Sequence, residues 1–168
     1  MMELTFRKAE QKEIETVLSF LKEAALWLRD KGIDYWQDWI DPPSLFTDWI
    51  QQGFEQSQFY MVQMDGKEIG CFRLQWQDPM FWGEQEDTAG YIHSFTIARK
   101  YAGQGIGAQI IRLIENHCLE NGKSLLRLDC GVDITGLRKY YENLSFKPVG
   151  EVTVEGERLT LYEKPLRT

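Results

Sequence analysis

The chain has 168 residues, 43% apolar and 27% charged, the size and usage of one globular domain able to bury roughly 70% of its unfolded surface. No stretch approaches the ~20 apolar residues a membrane helix needs, and a formal net charge of −7 opposes a nucleic-acid partner, which requires a basic face. Cys71, Cys118 and Cys130 are odd in number, widely spaced and set among apolar residues, so three buried thiols are expected rather than a disulfide framework or a zinc site.

The first dozen residues lack the basic and then apolar build of a signal peptide, so a cytoplasmic protein is expected. Leu4 and Phe6 alternate with polar neighbours and predict a first strand ending near Lys8. Ile14, Val17, Leu18, Leu21, Ala24, Ala25 and Leu28 recur at three and four residues, which predicts a helix over 10–29 with one face on a core and Gly32 as its left-handed stop. Pro42 and Pro43 open a shorter helix over 44–52, for which Gly53 reads as the C-terminal glycine. Two strands, 59–64 and 67–75, flank Asp65-Gly66, the signature of a type I′ hairpin turn. Residues 78–88, with Pro79, Gly83 and four acidic side chains, read as a loop. A strand over 90–98, a helix from Ile106 stopped by Gly122, a strand over 124–130, a short helix over 135–143 and two strands, 146–154 and 158–164, paired across Glu155-Gly156 complete the chain. The order βααββαβαββ predicts a mixed central sheet flanked by helices, and no linker or repeat divides residues 1–168, so one α/β domain is expected.

The turn before the long helix carries Gly103, Gly105 and Gly107 at alternate positions. Glycines there let a phosphate approach the backbone, and the unpaired amides of the following helix point at it. The spacing is not the Gly-x-Gly-x-x-Gly of dinucleotide folds, and no Gly-Lys-Ser/Thr follows. What remains is a pyrophosphate cradle of another design, or a tight turn without a ligand.

This turn and the order of elements together resemble the GNAT superfamily of N-acetyltransferases. Gly105 and Gly107 fall on the small positions of the family's Arg/Gln-x-x-Gly-x-Gly/Ala pattern, while Ala102 stands at the Arg/Gln position. The run from Leu137 to Phe146 is similar to the family's helix ending Tyr-Glu-x-x-Gly-Phe, with Tyr141 on the tyrosine and Ser145 in place of the glycine. Ile134 stands where many members have asparagine, so Asp133 or Thr135 is expected to cap this helix instead.

The resemblance implies acetyl-CoA as cosubstrate. Its pantetheine arm would lie along the backbone of Phe95, Thr96 and Ile97, and its pyrophosphate would meet Gly103, Gln104, Gly105, Ile106, Gly107 and Ala108. Tyr141 would protonate the leaving thiolate. His93, two residues before Phe95 and so on the same strand face, corresponds to a histidine of the serotonin N-acetyltransferases and would be the general base, with Tyr91, Glu84 and Asp129 as alternatives. His117 reads as a helix-surface residue. Tyr35, Trp36 and Trp82, with Glu84 nearby in sequence, suggest an aromatic and acidic cleft for an amine. The expected protein is an acetyl-CoA-dependent N-acetyltransferase acting on a small-molecule primary amine by direct transfer in a ternary complex. It needs no metal and has no nucleic-acid or membrane partner, and a homodimer is compatible with these features. The rivals are a non-catalytic acyl-CoA-binding module and a purely structural interaction domain.

Overall fold

The computed structural model describes residues 2–167. Seven strands form one mixed sheet in the order β1-β2-β3-β4-β5-β7-β6, comprising β1 (Leu4–Lys8), β2 (Phe59–Met64), β3 (Lys67–Gln75), β4 (Ala89–Ile97), β5 (Leu125–Gly131), β6 (Lys147–Val154) and β7 (Glu157–Pro165). Among the described residues five α-helices accompany them: α1 (Ile14–Asp30), α2 (Ser44–Glu55), α3 (Pro79–Trp82), α4 (Ile106–Glu120) and α5 (Thr135–Asn143). This is the expected α/β class with a mixed sheet. The chain packs as two compact units, one holding the residues up to Arg73 with Ser94–Ile110, the other Leu74–His93 with the residues from Ile111 onward.

In the first unit, α1 buries Val17, Leu21 and Ala25 against Ile50 and Phe54 of α2 and against Phe59, Met61 and Cys71 of the β2–β3 hairpin, so the three-and-four stripe faces a core as its spacing requires. Gly32 (φ +72°) ends α1, and Ile33 N–H reaches back to Leu28 O at 2.9 Å. Asp65 and Gly66 both have positive φ and close the hairpin as a type I′ turn. Gly53 departs from its expected role. It lies inside α2, which runs to Glu55, and is buried where a Cβ would stand 2.8 Å from Phe59 Cδ2 and 2.9 Å from Arg73 Nε. The glycine makes room for a buried arginine that donates to Gln58 Oε1 and Trp49 O and lies 4.2 Å over the Trp49 ring.

In the second unit, β4 pairs in parallel with β5 from Ala89↔Leu125 to Tyr91↔Arg127. β5 pairs antiparallel with β7, which pairs with β6 across Glu155 and Gly156, both at positive φ. A Cβ at Gly90 would stand 2.7 Å from Cys118 Sγ, so this glycine lets α4 lie close on β4. The segment expected as a loop contains the one-turn helix α3, because Pro79 supplies a pre-set φ at its first position and Asp78 O accepts the Trp82 N–H at 2.9 Å. Neither Asp133 nor Thr135 caps α5: Ile134 holds the N-cap position with no side-chain bond. All three cysteines are free and buried, as expected.

Gly53→Ala should cost about 1–3 kcal/mol, because the Phe59 ring is stacked on Phe54 at 4.8 Å and cannot yield. A lowered urea midpoint with an unchanged m-value checks it.

Candidate active site

Strand parity builds the site. Along β5, Leu126, Leu128 and Cys130 are buried on one face, while Arg127 and Asp129 share the other. Tyr91 and His93 occupy the corresponding positions on β4. At one end of this polar face Arg127 donates to Glu163 Oε2 at 2.8 Å, Tyr91 Oη at 2.7 Å and Gln85 Oε1 at 3.3 Å, and its guanidinium lies 4.7 Å over Trp82. Tyr91, an alternative base in the sequence reading, is therefore tied to an arginine.

The other end is different. His93 Nε2 lies 2.6 Å from Asp78 Oδ2. A carboxylate only accepts, so this bond assigns the Nε2 proton to His93 and turns Nδ1 toward Asp129 Oδ2, 3.8 Å away. Phe81 of α3 stands 4.6 Å from the imidazole. Asp78, 4% exposed, lies 15 residues before His93 in the segment read as a loop, and it escaped the sequence reading. Its only signal was the Asp-Pro pair, which marks a turn and not a partner for a strand residue.

Asp129 carries the electrostatic cost of the site. Burial pushes its carboxyl up to about 6, with Asp78 and Glu157 adding repulsion and His93 opposing them. Asp129 also acts on Tyr141, which α5 buries to 8% exposure beside Phe146. Burial, with smaller contributions from Tyr140, Cys130 and Asp129, raises the Tyr141 phenol well above its ordinary value, so it stays protonated at any working pH. His93 and Tyr141, the two groups expected to move protons, thus lie in one compact unit and both feel the same carboxylate. Asp78, His93 and Asp129 also offer one ligand atom each within 4.8 Å of one another.

The glycine turn belongs to the first unit. A 3₁₀ turn over Arg99–Tyr101 leads through exposed Ala102 to Gly103 (φ +78°) and Gly105 (φ +72°), each with no atom within 4 Å of an added Cβ. These two glycines serve conformation and leave the turn open, whereas Gly107 is already helical. Gln109 N–H bonds Gly105 O at 3.3 Å, so the amides of the first turn of α4, from Ile106 to Ala108, have no partner within the helix. An open turn ahead of those donors fits a phosphate group.

Just before this turn, Ser94 sits at φ +56° in mid-strand. This left-handed residue interrupts the alternation by which His93 and Phe95 were expected to share a face. Thr96 is buried, and Ala98 N–H bonds Ile69 O at 2.7 Å. Of the expected amine cleft, Tyr35 (buried) and Trp36 stack at 6.0 Å in the first unit. Trp82, against Tyr91 at 5.7 Å, and exposed Glu84 belong to the second. His117 is half-buried and stacks on Trp76 at 6.1 Å, which binds it more closely to the fold than a surface reading implied.

Residues 21–146 match the Acetyltransferase (GNAT) family, and the chain belongs to that family. It is 24% identical to the uncharacterized N-acetyltransferase YesJ of Bacillus subtilis, over 94% of this chain and 88% of the relative. A GNAT-family acetyltransferase from Listeria monocytogenes shares the fold, with a TM-score of 0.77 and 22% identity over 97% of this chain and 95% of that one. So does aminoglycoside acetyltransferase AAC(6')-Ib in complex with coenzyme A and kanamycin, with a TM-score of 0.73 and 15% identity over 97% and 95% of the two chains.

The sign of the Asp129 shift sets a stability test. With its carboxyl raised from 3.8 to about 6, the folded protein holds a proton that the unfolded chain has lost between those values. Stability therefore falls as pH rises through that window. Asp129→Asn cannot ionise, so it should be more stable than the parent at pH 8 by about 1–3 kcal/mol. The gain should vanish toward pH 4, as read by denaturant melts at both pH values.

Proposed function

We propose that this chain is an acetyl-CoA-dependent N-acetyltransferase that moves an acetyl group to a primary amine by direct transfer in a ternary complex, with His93 as base and Tyr141 as acid. The observation that carries the reading is a histidine bonded to Asp78 at 2.6 Å with Asp129 3.8 Å from its other nitrogen, in the unit that also buries Tyr141, in a chain of this family. A relative of the same fold is an aminoglycoside acetyltransferase crystallised with coenzyme A and kanamycin, which supports both the cosubstrate and an amine acceptor.

Acetyl-CoA, when bound, supplies the activated acetyl group. Gly103 and Gly105 keep the turn open so that the amides of Ile106, Gly107 and Ala108 can hold the pyrophosphate. Asp78 orients His93 and fixes which ring nitrogen carries the proton. His93 accepts the proton that the amine nitrogen loses as the C–N bond forms, and Tyr141 gives its phenolic proton to the sulfur as the C–S bond breaks. The products are the acetylated amine and the free thiol, and a net proton transfer from His93 back to Tyr141 through solvent restores both residues.

Ala102 favours one other reading. An exposed alanine where relatives place Arg or Gln leaves the pyrophosphate to backbone amides alone, as in a module that binds acyl-CoA without turning it over.

Thiol release from acetyl-CoA with a panel of amines separates the two. Turnover is expected, and Tyr141→Phe should lower kcat about 10²-fold while the Kd for acetyl-CoA changes less than about twofold. Binding of acetyl-CoA with no turnover on any amine, and with Tyr141→Phe indistinguishable from the parent, overturns the enzyme reading. Asp78→Asn can present an N–H to His93 and so favour the opposite tautomer. It should lower kcat about 10- to 100-fold with KM for acetyl-CoA and melting temperature unchanged.

A further inference from the structure

Helix α5 carries Tyr141 but has little of its own to hold it in place. It is nine residues long, Ile134 caps it without a side-chain bond, and Tyr141 is its one buried residue. A helix this short is marginal unless contacts from outside fix it. Any rotation of α5 about its axis would carry the Tyr141 hydroxyl with it.

The fixing contacts meet on one buried phenol. Tyr162 of β7 is fully buried and pairs with Leu128, on the face of β5 that also holds Cys130. Its hydroxyl accepts the Arg138 Nε–H at 2.9 Å and donates to Glu142 Oε2 at 2.6 Å. Arg138 Nη1 also donates to Val132 O at 3.1 Å, one residue beyond the end of β5. Arg138 and Glu142 stand four residues apart on α5, a spacing at which they could pair directly. A phenol stands between them instead, and one hydroxyl can accept from the guanidinium and donate to the carboxylate at once. Burial and the bond to Glu142 raise the Tyr162 phenol above its ordinary value, so it keeps the proton it donates. Tyr141 follows Arg138 by three positions and precedes Glu142 by one, so the clamp grips the turn of α5 that bears it. Through Arg138 the same clamp reaches β5, the strand of Asp129.

We propose that Tyr162 is a positioning residue for acyl transfer: through Arg138 and Glu142 its hydroxyl sets the rotation of α5, and with it the point at which Tyr141 meets the leaving sulfur. Tyr162 itself touches neither reactant. The proposal rests on the transferase reading above, in which Tyr141 is the acid. A misplacement of about 1 Å can cost about 10²-fold in rate, so one hydroxyl outside the reacting groups can govern the step.

The test removes that oxygen and keeps the ring. Tyr162→Phe should lower kcat about tenfold, with KM for acetyl-CoA changed less than about twofold. In the Tyr141→Phe background the same change should lower kcat less than about twofold, because a residue that acts through Tyr141 has nothing left to position. In the ligand-free protein, amide hydrogen exchange across α5 should quicken at least about tenfold while that of β5 stays as it was. Equal losses of kcat in the two backgrounds, an unchanged kcat in the parent, or exchange that quickens in both elements or in neither overturns the positioning role and leaves the transferase standing. Tyr141→Phe turning over like the parent instead removes the acid, and the positioning role falls with it. Glu142 is exposed, so its variants decide the matter if Tyr162→Phe does not fold. Glu142→Gln still offers the phenol an acceptor and should keep at least about half of kcat, whereas Glu142→Leu should reproduce the tenfold loss. Equal activity of these two variants overturns the proposal.

Discussion

The 2.6 Å hydrogen bond between Asp78 and His93 is the contact on which the arrangement of the site depends. It ties the segment leading into α3 to the middle of β4, and it decides what the imidazole can still do. With Nε2 committed, only Nδ1 is left to face Asp129, and an acceptor-only carboxylate has already chosen the tautomer. Pro79 contributes from the other side: by starting α3 at once, it sets Asp78 at the head of the segment and brings Phe81 against the same ring. A one-turn helix is too short to be stable alone. It persists because its residues are held by the sheet beneath them.

The polar face shared by β4 and β5 divides into two halves with opposite energetics. Around Arg127 the guanidinium meets Glu163, Tyr91 and Gln85, and the cluster anchors Gln85 and Trp82 of the covering segment over the strands. Around Asp129 a carboxyl is buried, raised and short of one partner. One half therefore adds to stability while the other subtracts from it, at equal depth in the same strands. The same kind of burial keeps the Tyr141 phenol in its protonated form.

Much of the fold was legible because its signals are local. The stripe of α1, the glycine stop at Gly32 and the Asp65-Gly66 and Glu155-Gly156 turns each need only a few neighbouring residues to act. The glycine turn drew attention through its resemblance to a family pattern, and it is open as its glycines require. Gly53 was misread for the opposite reason. A glycine near a helix end looks like a stop, but its cause is the Phe59 ring and the Arg73 guanidinium, packed against it from elsewhere in the chain. Asp78 was missed because nothing in an Asp-Pro pair points to a histidine 15 residues away, and the left-handed Ser94 was missed because serine carries no signal for positive φ.

The amino-acid order alone determined the element sequence, the open turn before α4 and the identity of the phenol and imidazole, since periodicity, glycine and functional-group chemistry act over short range. Tertiary structure alone decided the state of those groups. Which nitrogen of His93 bears the proton, why Tyr141 stays protonated and why Asp129 is short of a partner all follow from burial and from carboxylates brought together by three separate segments. Desolvation and Coulomb forces depend on distance in space, and sequence separation does not report that distance.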